Sequence, residues 1–389
     1  MESLSHRPMN THQSTFPGRM AIQQRVLPVY RAPLMDTLAV NCGGGLSVFS
    51  GDPLPGEGIT AAGDLQVAKR VFARNRHFSN PGSALYQCYQ DGLVDWLESW
   101  QPDVLIVEAN PRYPNTRQGI DWMHTHNRPV LGWGLGAPPI HGPLAAWRRV
   151  LRQRLLRSLD GVIAYSQRGA QEYLQAGIAA DRIFVALNAA AHRPIQSPPE
   201  KPLHFSTQPV VLYVGRLQAR KRLDLLIQAC ASLPAALQPH LLIVGDGPAG
   251  TDLKTLAGQI YPGTEFTGSL FGEALEACFQ KADVFVLPGT GGLAVQQAMA
   301  WGLPVIVAEG DGTQDDLVRS ENGWRIIPGS QGDLTSKLQA ALSDPGRLRQ
   351  MGLASYRIVD QEVNLETMAQ VFIRAARQVT GMEHGADGC

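Results

Sequence analysis

Short apolar runs alternate with amphipathic stretches along most of this chain, and they do so in two successive series. The runs "DVLIVEA" and "GVIAYS" belong to the first series, and "VVLYVGRL" and "DVFVLPG" belong to the second. Short apolar runs that alternate with helical patterns predict a parallel sheet with both faces covered. Two such series predict two doubly wound, Rossmann-like α/β domains, which bind ligands beyond the carboxyl ends of their strands.

The boundary between the two series is a segment rich in proline and polar residues, residues 189–209. We expect a disordered tail over residues 1–20, a first domain over 21–195, a linker over 196–209, a second domain over 210–365, and a C-terminal helix and tail over 366–389. The apolar spacing of "ALYQCYQDGLVDWLESW" predicts a helix in the first domain. A long helical region, about residues 331–380, closes the chain.

Charge and cysteine content limit the class of protein. The net charge is zero, but residues 1–195 hold 19 Lys and Arg against 14 Asp and Glu, which leaves +5, and the second half carries −5. This asymmetry indicates either an anionic partner for the first half or pairing of the domains. Five widely spaced cysteines without a C-x-x-C motif indicate free thiols in a reducing cytosol, and we expect no metal site. No apolar run approaches the ~18–20 residues that span a bilayer.

The stretch "IVGDGPAG", residues 243–250, fits the G-x-G-x-x-G pattern of dinucleotide-binding loops. Its context is poor, because Pro248 lacks a backbone N–H that a phosphate cradle could use. The next acidic residue, Glu265, does not follow a strand as the pattern requires. The motif alone leaves a flavoprotein open as one alternative.

Two other loops have the composition of an anion site. In "VGRLQARKRLD", Gly215 ends a strand and Arg216 and Lys221 follow it near a helix start. In "LPGTGGLAVQQAMA", Gly289 and the next glycines follow another strand directly. Cations form charge-assisted bonds to phosphate, and glycines allow close approach of the backbone. The two loops together predict a diphosphate site.

These segments and several others, in this order, resemble the donor domain of GT-B glycosyltransferases of family 4. The match runs over about 165 residues and includes "YVGRLQARKRLDLLIQA", "LLIVGDGP", "FTGSL", "KADVFVLPG", "GGLAVQQAMAWGLPVI", "DLVRSENGWRIIPG" and "LQAALSDPGRLRQMG". The resemblance implies two Rossmann-like domains facing a cleft, with a C-terminal helix that crosses back. It also implies retaining transfer from a nucleotide-sugar substrate, without a metal or another cofactor.

The resemblance also assigns roles to residues. Arg216 and Lys221 would stabilise the leaving diphosphate, and His141 would stand near the catalytic region. The donor-binding positions would be Gly215, Arg216, Lys221, Phe266, Gly268, Thr290, Gly291, Gly292, Leu293 and Gln297. Among them, the stretch Phe266–Gly268 would bind the base, and Gln297 would contact the ribose hydroxyls. The chain departs from the family at two glutamates that are usually eight positions apart. Gly289 and Gln297 occupy those places, so the sugar must be held from elsewhere or activity is lost.

The first domain resembles the acceptor domain less closely. Its candidate acceptor residues follow predicted strands, and they are Tyr30, Arg31, Asn110, Arg112 and Trp133. Each of them could equally belong to an ordinary connection. The acceptor would be a glycan, a lipid or a small molecule, which would place the protein in polysaccharide or glycolipid biosynthesis.

Residues 144–161, "LAAWRRVLRQRLLRSLDG", interleave five arginines with apolar residues. A basic amphipathic helix of this kind binds anionic membranes, which would make the protein peripheral at the inner face of the membrane. The alternative is a helix that packs on the sheet and shows its arginines to water. No nucleic-acid-binding motif accompanies the patch, so we expect no nucleic-acid partner.

Other functions stay open at this point. The missing glutamates allow a catalytically weak or inactive nucleotide-sugar-binding partner of another transferase. A nucleotide-sugar epimerase or a phosphorylase-like GT-B protein is a further alternative, although no pyridoxal-phosphate lysine site is evident.

Overall fold

The structure, a computed structural model, describes residues 14–57, 59–205, 207–291, 293–310 and 312–382. It divides into two compact units. Among the described residues, the first unit comprises the chain up to Ala164, Ala170–Ala186 and the chain from Met368 onward. The second unit comprises Tyr165–Gly169 and Leu187–Thr367.

The first unit contains a seven-stranded parallel sheet in the order β3-β2-β1-β6-β7-β8-β9 and a separate antiparallel pair, β4-β5. The strands are β1 (Met20–Val26), β2 (Leu46–Gly51), β3 (Lys69–Phe72), β4 (Arg74–Phe78), β5 (Gln87–Asp91), β6 (Val104–Glu108), β7 (Val130–Gly134), β8 (Gly161–Ala164) and β9 (Ile183–Val185). The helices are α1 (Ala32–Val40), α2 (Leu93–Trp100), α3 (Thr116–Thr125), α4 (Ala145–Arg157) and α5 (Gln167–Gln175). Apolar side chains of the strands and helices, Leu105 and Ile120 among them, form one core.

The predicted helix over residues 84–100 is wrong in its first half. Residues Gln87–Asp91 form β5, in which alternate side chains, Cys88 and Gln90, are buried. Gly92 then adopts a left-handed conformation (φ +82°), so the helix α2 begins only at Leu93. A two-residue period of burial thus replaces the helical period that the apolar spacing indicated.

The N-terminal boundary also differs from the prediction. Residues 14–20 are not a disordered tail, because Phe16 is fully buried and its N–H donates to the carbonyl of Asn41 at 2.9 Å. Strand β1 begins at Met20 and ends before Pro28, which cannot donate a ladder hydrogen bond. The run "QRVLPVY", residues 24–30, is thus a strand only up to Val26, and residues Val29–Arg31 form a 3₁₀ turn. Residues 1–13 of the predicted tail lie outside the described residues.

The second unit contains a six-stranded parallel sheet in the order β12-β11-β10-β13-β14-β15. The strands are β10 (Val210–Val214), β11 (His240–Val244), β12 (Glu265–Gly268), β13 (Val284–Leu287), β14 (Val305–Ala308) and β15 (Gly323–Ile326). The helices of this unit are α6 (Leu223–Ala231), α7 (Gly250–Ile260), α8 (Gly272–Lys281), α9 (Ala294–Ala300), α10 (Thr313–Leu317), α11 (Gln331–Ser343) and α12 (Pro345–Gln361), and the last helix, α13 (Leu365–Thr380), only begins here. The central strands β13 and β14 are buried along their whole length, as expected of a sheet covered on both faces.

The last three helices confirm the predicted helical end of the chain, and they are separated by Asp344 and by residues 362–364. From Met368 onward, α13 belongs to the first unit. There Phe372 packs edge-to-face against Trp133, with ring centroids 5.0 Å apart. The predicted return of the C-terminal helix to the first domain is therefore confirmed.

Candidate functional site

Lys221 brings the two predicted anion-binding loops together at the carboxyl edge of the second sheet. It ends the 3₁₀ turn Ala219–Lys221, which follows β10, and only 7% of its surface is exposed. Its Nζ donates to the carbonyl oxygens of Thr290 and Gly291, at 2.8 and 2.5 Å. Burial, together with a smaller effect of the Arg220 charge, lowers the pKa of Lys221 to about 8. Lys221 is thus a buried cation beside the glycine loop.

Two exposed arginines accompany Lys221. Arg216 follows β10, and Arg220 lies in the 3₁₀ turn, where its Nε donates to the side chain of Gln218 at 3.0 Å. Among the residues that the structure describes, Arg216, Arg220 and Lys221 form no ion pair. Three cations without a carboxylate partner favour an anionic ligand. The sequence analysis missed Arg220, although the run "ARKR" was the available signal.

The glycine loop fits closely against the turn that carries the cations. A β-carbon on Gly289 would lie 2.2 Å from the carbonyl oxygen of Arg220 and 2.5 Å from the Cα of Lys221. The N–H of Thr290 donates to that same Arg220 oxygen at 3.2 Å. Gly291 has a φ of +65°, and a β-carbon there would lie 3.7 Å from Arg220 Nη1 and 3.9 Å from Lys221 Nζ. The backbone of this loop is therefore held directly beside the cations.

The "VGDGP" glycines support the cation loop. Gly245 follows β11 with a φ of +136°, and a β-carbon there would lie 2.0 Å from the carbonyl oxygen of Gly215. The N–H of Leu217 donates to the carbonyl of Asp246 at 2.9 Å, and Leu217 in turn accepts from Ala249 N–H at 3.0 Å. These glycines are needed for close contact between two backbone segments. They are accounted for without a dinucleotide.

Neighbouring glutamines on α9 have different environments. Gln296 is buried, accepts from Ala190 N–H at 2.8 Å and donates to the carbonyl of Val363 at 2.5 Å. Gln297, the predicted ribose contact, is exposed, and Leu293 before the helix is 40% exposed. Gly292 lies outside the described residues. Gln296 thus has a structural role, and Gln297 remains a predicted ligand contact.

The predicted base-binding stretch lies on the edge strand β12. The Lys254 Nζ lies 6.0 Å from the ring centroid of Phe266. Gly268 has a φ of +75°, and its carbonyl accepts from Gly245 N–H at 2.8 Å. Phe271, which directly precedes α8, is 81% exposed. It was not among the residues predicted from the sequence.

The predicted acceptor residues fall into two groups in the first unit. Arg31 and Trp133 are buried, with the Arg31 guanidinium 4.9 Å from the Trp133 ring centroid and 5.2 Å from that of Tyr30. Tyr30 is 38% exposed. In the second group, the Asn110 side chain accepts from Arg112 N–H at 3.1 Å. The contact between the buried Arg31 and Trp133 side chains accounts for both residues without an acceptor.

His141 lies exposed in the connection between β7 and α4. The described residues offer its ring no hydrogen-bond partner. Its predicted catalytic role is therefore without structural support and stays a prediction.

A charged cluster at the carboxyl edge of the first sheet was not recognised from the sequence. Arg25 near the end of β1 donates its N–H to Glu108 Oε1 at 2.7 Å, and its guanidinium pairs with Glu57 at 3.1 Å. Burial raises the pKa of Glu108, and the hydrogen bonds from Arg25 and Tyr113 oppose that rise. Arg25 thus contacts both carboxylates. Because the three residues lie far apart in the sequence, no local sequence pattern could reveal the cluster.

Helix α4 displays part of its apolar surface. Leu156 is its fully buried residue, whereas Trp147 and Val150 are 43% and 45% exposed. Trp147, Val150, Arg154 and Arg157 are spaced three, four and three residues apart, so they share one face. Leu155 and Leu156 pack in the core of the first unit, so the helix packs on the sheet through part of its apolar surface and exposes the rest.

Three further observations concern the described residues as a whole. None of the helices found there is long and apolar enough to cross a bilayer. No group of three or more His, Cys, Asp or Glu residues among them is arranged to hold a metal ion. Four cysteines in the described part are free and buried, and they are Cys42, Cys88, Cys230 and Cys278.

Comparison with solved structures identifies the class of fold as GT-B. Sucrose-phosphate synthase from Thermosynechococcus elongatus superposes with a TM-score of 0.68 at 19% identity, over 94% of this chain and 100% of that one. Anabaena HepE in complex with UDP gives a TM-score of 0.67 at 17% identity, over 92% of this chain and 99% of that one. The predicted fold is confirmed.

Residues 195–357 match the family "Glycosyl transferases group 1". The chain is 37% identical over 154 residues to sulfoquinovosyl transferase SQD2 of Arabidopsis thaliana. It is 35% identical over 156 residues to the GDP-mannose-dependent alpha-mannosyltransferase of Mycolicibacterium smegmatis. These matches cover 38% and 39% of this chain, and 28% and 39% of the two relatives. The resemblance to GT-B glycosyltransferases is confirmed, while family 4 stays a prediction.

Proposed function

We propose that the protein transfers a sugar from a nucleotide-sugar donor to a glycan, lipid or small-molecule acceptor. The observation that carries this proposal is the contact of Lys221 Nζ with the glycine-loop carbonyls, beside Arg216 and Arg220, which form no ion pair with any described residue. The mycobacterial relative described above is GDP-mannose-dependent, and Anabaena HepE binds UDP. A nucleoside diphosphate leaving group fits this arrangement of cations.

The chemical role of this site is to stabilise negative charge on the departing diphosphate. Preorganised cations in a partly buried site stabilise charge that develops during bond cleavage. Lys221 would act through its Nζ, and Arg216 through an exposed guanidinium. The helix α9 has only seven residues, so we assign the anion stabilisation to the side-chain cations. We further propose retention at the anomeric carbon and no metal requirement, as the family resemblance implies.

A donor screen tests this function. UDP-, GDP- and ADP-sugars should be compared by thermal stabilisation of the protein, followed by assay of nucleoside diphosphate release. We expect one base class to raise Tm, because a ligand at 100 times its Kd stabilises the native state by about 2.7 kcal/mol. We also expect slow hydrolysis of that donor without acceptor. Stabilisation without any release, even with acceptor mixtures, would favour the inactive binding partner instead.

We also propose that helix α4 contacts an anionic membrane surface at the cytoplasmic face. The support is the face formed by Trp147, Val150, Arg154 and Arg157, which combines exposed apolar area with positive charge. Such a face binds interfaces through burial of apolar area and attraction to anionic lipid. A membrane location would bring the enzyme to a lipid-linked acceptor.

Charge reversal at Arg154 and Arg157 should reduce co-sedimentation with phosphatidylserine vesicles at least tenfold. Each basic residue near such a surface contributes about 1 kcal/mol, and reversal adds repulsion. The matched control reverses Arg357 and Arg374, which are exposed arginines on α12 and α13, and it should bind as the wild type does. Absence of wild-type binding at low salt, or equal loss in the control, would refute the membrane contact.

A further inference from the structure

We propose that Glu309 supplies the carboxylate that contacts the donor sugar, in place of the glutamate that is missing at position 289. This inference rests on the proposed function and adds a specificity-determining residue to the same site. It follows from the space around Gly289, the register of two strands, and the order of groups along the sheet edge.

Position 289 has no room for a side chain. The β-carbon of any residue there would meet backbone atoms of Arg220 and Lys221 at 2.2–2.5 Å. Backbone atoms cannot yield as the end of a flexible side chain can. A carboxylate that reaches the sugar must therefore come from another part of the chain.

The neighbouring strand end supplies such a group. Strands β13 and β14 pair in parallel, with Val286 opposite Ile306 and Leu287 opposite Val307. Two residues further along, the same register places Glu309 beside Gly289. Adjacent strands lie about 4.8 Å apart, and residues two apart on a strand point to the same face. Glu309 therefore lies at the strand end that adjoins the glycine loop.

Glu309 is fixed by its backbone, whereas its side chain is available. Its N–H donates to the carbonyl of Ile326 at 3.1 Å, which ties it to the end of β15. The residue is exposed, and the described part of the structure shows no hydrogen bond or ion pair to its carboxylate. A carboxylate held in this way accepts charge-assisted hydrogen bonds from sugar hydroxyls.

The groups along the sheet edge follow the order of the parts of a nucleotide sugar. The predicted base-binding stretch Phe266–Gly268 is on β12, and the cation loop follows β10. The glycine loop follows β13, next to β10, and Glu309 follows β14. Base, diphosphate and sugar would therefore be met in sequence along one edge of one sheet. The position of Glu309 corresponds to the sugar.

The test compares a nucleotide sugar with its free diphosphate. Kd values for UDP-glucose and UDP, and in parallel for GDP-mannose and GDP, are measured by calorimetry on the wild type, Glu309→Ala and Glu309→Gln. We expect Glu309→Ala to weaken the bound nucleotide sugar about tenfold or more, as loss of charge-assisted bonds does. The free diphosphate should change less than twofold. Glu309→Gln should fall between the wild type and Glu309→Ala, because an amide oxygen still accepts.

The control is Glu276→Gln, an exposed glutamate on α8, which should bind both ligands as the wild type does. Unchanged nucleotide-sugar affinity in Glu309→Ala overturns the inference while the diphosphate site stands. Equal weakening of both ligands also overturns it, because Glu309 would then support the loop and not the sugar. A wild type that binds neither ligand of either pair, and neither ADP-glucose nor ADP, removes the proposed function itself, and the inference with it.

Discussion

Replacement of Lys221 by methionine should weaken nucleoside diphosphate binding by about 1.5–3 kcal/mol, the usual contribution of hydrogen bonds to charged groups. The protein should remain folded, because methionine fills similar space and the Thr290 carbonyl lies at an exposed residue. Loss of a desolvated charge offsets loss of two hydrogen bonds to carbonyls, so the free energy of unfolding should change by less than about 1 kcal/mol. Calorimetry and denaturant unfolding measure the two effects.

The same site should show a defined pH dependence. The pKa of Lys221 is about 8, and a bound diphosphate would raise it, because the anion favours the ammonium form. Affinity should therefore be full below about pH 8 and fall as pH rises through that value, by up to about tenfold per pH unit. Lys221→Met should flatten this profile, since Arg216 and Arg220 stay charged throughout.

The free energy of unfolding of the ligand-free protein should change with pH in the opposite direction to the affinity. The unfolded lysine, with a pKa of 10.5, binds more protons than the native one between about pH 8 and 10.5, so burial of the charge costs stability below pH 8. The free protein should gain stability as pH rises through this interval.

Lys281→Met, at an exposed lysine that ends α8, is the matched control and should leave affinity and pH profile unchanged. Wild-type affinity in Lys221→Met would show that this lysine does not face the diphosphate. The donor site would then have to be placed elsewhere.

The second sheet was predictable because its signals are local. The strands β10, β11 and β13 are apolar runs followed directly by a glycine or a proline, and burial on both faces preserves such runs in the sequence. The helix predicted over residues 84–91 of the first unit was wrong because the burial there is not apolar. The strand β5 buries the polar Gln90, whose side chain donates to Gln24 and Asn75 from other parts of the chain. Because polar residues occupy buried positions in this strand, its sequence lacks the alternation of apolar and polar residues that predicts a strand.

Site residues divide in the same way. Arg216 and Lys221 were found because glycine and cation follow a strand within a few residues. Arg31 is different, because its place after a predicted strand made it a candidate acceptor residue, while the structure buries it beside Trp133. Long-range pairing also explains why the Arg25–Glu57 contact escaped notice. Sequence order places groups at a strand end, but only packing decides which of them face solvent.

The glycine at position 289 gives the last prediction, which concerns a residue that the family usually replaces by glutamate. Gly289→Glu should not restore a sugar contact. Its β-carbon would displace the turn that carries Arg220 and Lys221, and Thr290 N–H would lose its bond to the Arg220 carbonyl. We expect nucleotide affinity to fall at least as far as in Lys221→Met. Overpacking should cost about 1–3 kcal/mol of unfolding free energy.

Gly289→Ala separates the steric effect from the charge effect, because alanine adds the clashing atom alone. It should reproduce most of the loss in both affinity and stability. Gly258→Ala is the matched control: this glycine lies on α7 with open space around the site of a β-carbon, and helix propensity predicts a gain of up to about 1 kcal/mol there. Tighter donor binding or faster transfer in Gly289→Glu would mean that the cation turn can move aside. In that case the close contact at Gly289 would not be what excludes the glutamate.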